Sequence, residues 1–300
     1  MGAPKTVRAI AGRGTSARAA LAFLCAVLAL GAVTAAAADA VAVSTNWAGY
    51  VVSRSAGSGS GSGFSSVSGT WTVPGAACAA GRESHSAVWV GLGGANEHAN
   101  GLEQVGTDAD CARTGAAEYS AWYELIPAGP VNLKLSVRPG DQMTASVTVR
   151  AHDVTLRMRD LSTGARASAT RHVANVDVSS AEWIVEAPSV CLAADACATL
   201  GLTDFGTVSF ASATATAEGH TGPIADPAWS ASALELRQAA DQGFRGRPGR
   251  RFGVTDALVT ATPSAVSGAN SAFSVTWNEQ SVQIEPPPEP TLPGFGAGAS

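Results

Sequence analysis

Two side chains in this sequence have types and settings suited to hydrolysis. Gln104 lies in the apolar run Leu102 to Val105, and Glu186 closes the run Ala181 to Glu186, AEWIVE. A glutamate on a sheet face acts as a general base on water when its proton affinity suits the working pH, and a neutral amide can donate a hydrogen bond to a developing oxyanion. Other mechanisms lack their residues: there is no G-x-S-x-G elbow, no H-E-x-x-H helix, no P-loop and no dinucleotide fingerprint. The five histidines are scattered and there is no C-x-x-C, so neither a metal centre nor a cofactor is expected. Two carboxylates compete on residue type alone. Glu182 shares a strand face with Glu186, whereas Glu103 adjoins Gln104 but alternates to the opposite face.

The elements that must position these groups read as strands. Val88 to Gly106 holds two apolar runs, one carrying Trp89 and one Gln104, joined by a glycine- and asparagine-rich connection. In Ala117 to Pro127 (AEYSAWYELIP), strand alternation puts Ser120, Trp122 and Glu124 on one face. Such an aromatic strand serves equally as sandwich core or as the lining of a groove. Within AEWIVE, Glu182, Ile184 and Glu186 share one face and Trp183 and Val185 the other. Val43 to Val52, Phe64 to Pro74, and the pair Met143 to Arg150 and Val154 to Asp160 continue the strand pattern, and Phe205 to Ala215 and Phe273 to Trp277 are its last members. Ser55 to Gly63 is a low-complexity loop, and Asp241 to Phe252 a basic, glycine-rich one.

A formal net charge of -5 with few charged residues argues against nucleic acid as the main partner, because phosphate binding needs clustered lysine and arginine. Residues 1–40 read as a signal peptide: Lys5, Arg8, Arg13 and Arg18 precede an apolar stretch, Ala19 to Val33, and a small-residue cleavage zone follows. The apolar stretch is shorter than the ~20 residues a spanning helix needs, so a secreted protein with no lasting membrane association is expected. Cys25 goes with the leader. The remaining Cys78, Cys111, Cys191 and Cys197 suit two disulfides in an oxidising compartment. The short loop between Cys191 and Cys197 favours their pairing, which leaves Cys78 for Cys111. Residues 285–300, rich in proline and glycine, are expected to be a disordered tail, and 41–284 the folded domain. With no long amphipathic helix or heptad, a monomer is expected.

Seven pieces in order carry a family resemblance: Asn46-Trp47-Ala48-Gly49-Tyr50, Val73-Pro74, Trp89-Val90-Gly91, Leu102 to Gly106, Tyr119 to Glu124, Pro139-Gly140-Asp141 and Ala181 to Glu186. Together they resemble the glutamic peptidases, or eqolisins, from about Ser44 to about Gln280. The resemblance implies an all-β, concanavalin-like β-sandwich of two antiparallel seven-stranded sheets, with a concave face that binds an extended polypeptide substrate. It implies catalysis by a Gln/Glu pair, falling on Gln104 and Glu186, with Trp89, Trp122 and Glu124 around substrate, and a metal-free acid endopeptidase insensitive to pepstatin. Two positions depart from the fungal pattern: Gly93 and Ser120 stand where those members carry aspartate. The departures motivate an alternative, a sandwich that binds carbohydrate or peptide without cleaving it. Glycoside hydrolysis, a third reading, needs a second acid across the cleft.

Overall fold

The computed structural model describes residues 41–54, 63–96, 99, 101–191, 197–239 and 257–279. The leader at 1–40, most of the 55–63 loop, the basic loop at 241–252 and the tail at 285–300 lie outside the described residues. Every regular element described is a strand. They are β1 (Ala42–Ser44), β2 (Trp47–Arg54), β3 (Phe64–Thr72), β4 (Ala87–Gly93), β5 (Leu102–Cys111) and β6 (Ala117–Ile126). Next come β7 (Ala128–Asn132), β8 (Gln142–Arg150), β9 (Asp153–Asp160), β10 (Arg166–His172), β11 (Ser180–Glu186) and β12 (Ser189–Cys191). The last are β13 (Cys197–Thr199), β14 (Thr207–Ala217), β15 (His220–Pro223), β16 (Trp229–Ala239), β17 (Ala257–Pro263) and β18 (Phe273–Trp277).

The main ladder runs β10-β9-β8-β3-β14-β18-β17-β16-β2-β11-β4-β5-β6-β7. It divides at the β17–β16 pairing into two halves of seven strands that pack face to face, with β3 and β8 over β4, β5 and β11. The expected antiparallel sandwich is therefore present, with its two sheets joined through one hydrogen-bonded edge. Among the described strand-to-strand ladders only β1, which runs parallel to β16, breaks the antiparallel rule; an isolated bridge between His85 and Leu202 is also parallel.

Alternation decides what lies between the sheets. Trp183 and Val185 of β11 and Val88, Val90 and Leu92 of β4 enter the core with Trp71, Phe210, Met143 and Leu156 from the facing half. Two indoles tie the halves together: Trp183 Nε1 donates to the Ser68 carbonyl at 2.7 Å, and Trp71 Nε1 to Thr107 Oγ1 at 3.0 Å. These bonds let large aromatics be buried without an orphaned N–H. The intervening residues of β2, β4, β5, β6 and β11 point the other way and build a second apolar cluster of Val51, Ala87, Trp89, Leu102, Trp122 and Ile184.

Among the strands that escape the sequence pattern are β16, β17 and β7. β16 (WSASALELRQA) is alanine-rich, and its Leu-Glu-Leu-Arg segment fits a helix as well as a strand, so pairing with β2 and β17 decides its conformation. β17 lies between it and β18. β7 contains Pro130 and is exposed throughout, as suits the edge strand it forms beside β6.

Cys78 and Cys111 form a disulfide, which fastens the loop before β4 to the end of β5. Cys191 and Cys197 are register partners in the β12–β13 hairpin, and their side chains lie outside the described residues.

Candidate active site

Glu186 ends β11 opposite Trp47 of β2 and Ala87 of β4. Its Oε2 accepts a 2.7 Å hydrogen bond from Trp89 Nε1, and its Oε1 a 3.1 Å bond from Asn46 Nδ2. The Ser44 hydroxyl donates to Asn46 Oδ1, which turns the amide nitrogen toward Glu186. Trp47 packs edge-on against Trp89 with ring centres 5.0 Å apart. Burial pushes the Glu186 carboxyl up to about 7, against the pull of the bonds from Trp89 and Asn46 and of the nearby Trp47 N–H, which forms no hydrogen bond, and the Glu124 charge adds to the rise. Glu186 is densely surrounded yet keeps part of its surface open. Proton exchange with water requires such an opening.

Gln104 lies on β5 level with Gly91 of β4 and Glu124 of β6. Its Nε2 donates to Glu124 Oε2 at 2.7 Å, while its Oε1 is buried without a hydrogen-bond partner. Burial raises the Glu124 carboxyl and the bond from Gln104 opposes that rise. Glu124 thus links the two candidate groups, bonded to Gln104 and electrostatically coupled to Glu186.

The glycines between these groups are there for space. A Cβ on Gly106 would lie 2.6 Å from Trp89 Cβ and 3.0 Å from the Trp122 ring, and one on Gly91 would lie 2.9 Å from the Trp89 ring. Both tryptophans therefore pack closely against bare backbone. Trp122 Nε1 donates to Asp108 Oδ1 at 2.6 Å and the Ser120 hydroxyl to Oδ2 at 2.7 Å. Asp108 is held up near 6, chiefly by burial. Ser120, one of the two departures from the fungal pattern, thus supplies a proton donor to this carboxylate.

Gly93, the other departure, has φ +81, and Asp177 occupies the space its Cβ would need, at 2.5 Å. Asp177 Oδ2 accepts from the Gly94 N–H at 3.2 Å, and its own N–H donates to Glu103 Oε1 at 3.3 Å. A carboxylate from the segment before β11 therefore stands beside the glycine. Beyond it, Glu103 and Glu182 are each 0 % exposed. Burial pushes Glu103 up to about 8 and Glu182 well above the ordinary carboxylate range. Both Glu182 oxygens lack a formed hydrogen bond, and so does the Ser180 hydroxyl, whose nearness opposes the rise. A sealed carboxyl cannot present itself to substrate, which removes Glu182 as a rival to Glu186.

The sequence-selected Gln104, Glu186, Trp89, Trp122 and Glu124 thus share one face of one sheet. Trp89 and Trp122 are 0 % and 6 % exposed, so their rings serve as platform and hydrogen-bond donors with little surface for stacking a ligand. Asn46 enters the sequence reading only as part of a motif, and Asp108 and Asp177 are not singled out there. Asp108 was within reach by alternation, as it follows Gln104 and Gly106 on one face; Asp177 had no local signal. Among the described residues no group of three or more histidine, cysteine or carboxylate side chains is arranged to hold a metal ion.

The sandwich superposes on scytalido-glutamic peptidase bound to a peptide-based transition-state analogue, with TM-score 0.60 and 22% identity over 78% of this chain and 98% of that one. It also superposes on SCP-B, an eqolisin in complex with the tripeptide Ala-Ile-His, with TM-score 0.57 and 21% identity over 78% and 98% of the two chains. A search of curated protein sequences returns no significant match. At these identities the structures establish the fold. The profile of the Peptidase A4 family matches residues 45–240, about two thirds of the chain, and the protein therefore belongs to that family of glutamic-type peptidases.

Proposed function

We propose that the protein is a secreted endopeptidase that hydrolyses peptide bonds through Glu186 and Gln104. The supporting observation is a partly open Glu186 fixed by Trp89 and Asn46 on the sheet face that also carries Gln104, fixed by Glu124. Ionised Glu186 takes a proton from water as its oxygen attacks the substrate carbonyl carbon, and the carbonyl π electrons move onto oxygen. An N–H of Gln104 stabilises that oxyanion. When the tetrahedral intermediate collapses, the C–N bond breaks and Glu186 returns its proton to the departing amine.

A mildly acid working range is part of the proposal, set by two opposed demands. Glu186, near 7, must supply a fraction of ionised base, whereas the buried Glu103 and Asp108, near 8 and 6, are comfortable only when neutral. Export rests on the sequence of residues 1–40. The near-complete burial of Trp89 and Trp122 weighs against the carbohydrate-binding alternative, which needs exposed rings.

The test is hydrolysis of an acid-denatured protein between pH 2 and 8, with pepstatin, a chelator and the Glu186→Gln variant in parallel. Cleavage on the acid side that ignores both reagents and vanishes in the variant supports the proposal. Parental rates in the variant would refute it.

A further inference from the structure

Twenty residues separate His152 from His172, and nothing in the sequence pairs them. The β9–β10 hairpin does. Asp153 and His172 are register partners, and His152 is in the turn before β9. The imidazole rings lie 5.7 Å apart between centres, inclined by 57°.

Each Nδ1 is committed. His152 Nδ1 faces the Val173 carbonyl oxygen at 3.2 Å, and His172 Nδ1 faces Asp153 Oδ1 at 3.1 Å. A carbonyl and a carboxylate only accept, so both Nδ1 atoms carry the proton, and the lone pair of each neutral ring is at Nε2. Among the described residues neither Nε2 has a protein partner. The His152 ring is further fixed because its own carbonyl accepts from the Val173 N–H at 2.8 Å, closing a reciprocal pair. A carboxylate or carbonyl on Nδ1 with Nε2 left bare is the usual outer-shell arrangement of a metal-binding histidine.

We propose that His152 and His172 form a surface site for a late first-row divalent transition ion, bound through the two Nε2 atoms and completed by water. Two imidazoles on one ion at ~2.0–2.1 Å have ring centres roughly 4.5–6.5 Å apart, according to the angle at the metal, and the pair falls within that span. No third histidine, cysteine or carboxylate joins them among the described residues, so the ion is exchangeable rather than built in. Imidazole donors favour Cu2+ over Zn2+ and both over Mg2+ or Ca2+. Arg150 and Asp153, register partners at the same hairpin end, bring opposite charges. Bound metal would staple the β8–β9 turn to the end of β10, far in sequence from Gln104 and Glu186.

The test is calorimetric titration of the untagged protein with Cu2+ and Zn2+ at pH 7.5, with Mg2+ and Ca2+ as controls and Cu2+ spin resonance to count nitrogen ligands. One equivalent bound, tighter for Cu2+, with two equatorial nitrogens, is expected. His152→Asn and His172→Asn should each weaken it at least about tenfold, and Asp153→Ala by about 10–100-fold; His220→Asn should leave it unchanged. All are exposed positions, and circular dichroism checks the fold. Absence of saturable Cu2+ binding, or its survival in the double histidine variant, would overturn the proposal.

Discussion

Trp89 Nε1 donates a 2.7 Å hydrogen bond to Glu186 Oε2, and the residue that makes it packs its ring against Gly91 and its Cβ against Gly106. A donor on a carboxylate favours the ionised form, so this bond holds the Glu186 carboxyl below the value burial alone would impose. Trp89→Phe keeps the ring over the glycines and removes only the donor. A hydrogen bond to a charged group contributes about 1.5–3 kcal/mol, so Glu186 should move upward by about one pH unit or more. The acid limb of the pH profile of kcat/KM should shift upward with it; an unmoved limb would separate Trp89 from the titrating group.

Gln104 and Glu124 make a second fixed pair. With its Nε2 on Glu124, the Gln104 amide cannot rotate without losing a 2.7 Å bond to a half-buried acceptor. Glu124→Leu frees the rotation. kcat should then fall with little change in KM, and Gln104→Ala should cost about 10²–10³ in kcat, as loss of an oxyanion donor does. A fall confined to KM would make Gln104 a binding residue instead.

Much of this site was legible because strand alternation is a strict rule. Once Gln104 and Glu186 were placed on strands, the shared face of Trp122 and Glu124 followed from counting by twos. The ordered motifs supplied what counting cannot, namely which strands become neighbours. What stayed hidden depends on contacts between distant segments. Asp177 reaches Gly93 from a loop before β11, and β16 takes its conformation from its partner strands rather than from its own alanine-rich sequence. The pairing of His152 with His172 is another product of register.

Gly106 tests the packing beneath the site. A methyl group there would lie 2.6 Å from both Trp89 Cβ and the Val88 carbonyl oxygen, and backbone oxygen cannot yield as a flexible side chain does. Gly106→Ala should destabilise the fold by about 1–3 kcal/mol and displace Trp89 from Glu186. Denaturant unfolding gives the first effect and the pH profile the second. A variant of parental stability and profile would show that β4 and β5 can part to admit the methyl.

Loss of the Cys78–Cys111 crosslink should act on the unfolded chain more than on the site. The bridge closes a loop with a sequence separation of 33. Chain-entropy arguments assign such a loop about 3–4 kcal/mol. Cys78→Ser with Cys111→Ser should lower the urea midpoint accordingly, while the protein that remains folded keeps its kcat. A matching collapse of kcat would mean that the bridge also positions β5.

Stability should fall as pH rises, in contrast to the usual carboxylate behaviour. The Glu103 carboxyl is raised from 4.5 to about 8 in the folded protein, so between those values the native state holds a proton that the unfolded chain has released. In that window unfolding loses a proton, and each such group removes about 1.4 kcal/mol of stability per pH unit. The contribution is complete below about 4.5, lost progressively up to about 8, and absent above. Glu182, also buried and raised, adds to the decline, and Asp177 stands close enough to oppose ionisation of both. Glu103→Gln keeps an oxygen for the Asp177 N–H and cannot ionise. Its thermal midpoint should match the parent near pH 4 and exceed it at pH 8. Parallel curves for the two proteins across that range would exclude Glu103 as a source of the alkaline loss.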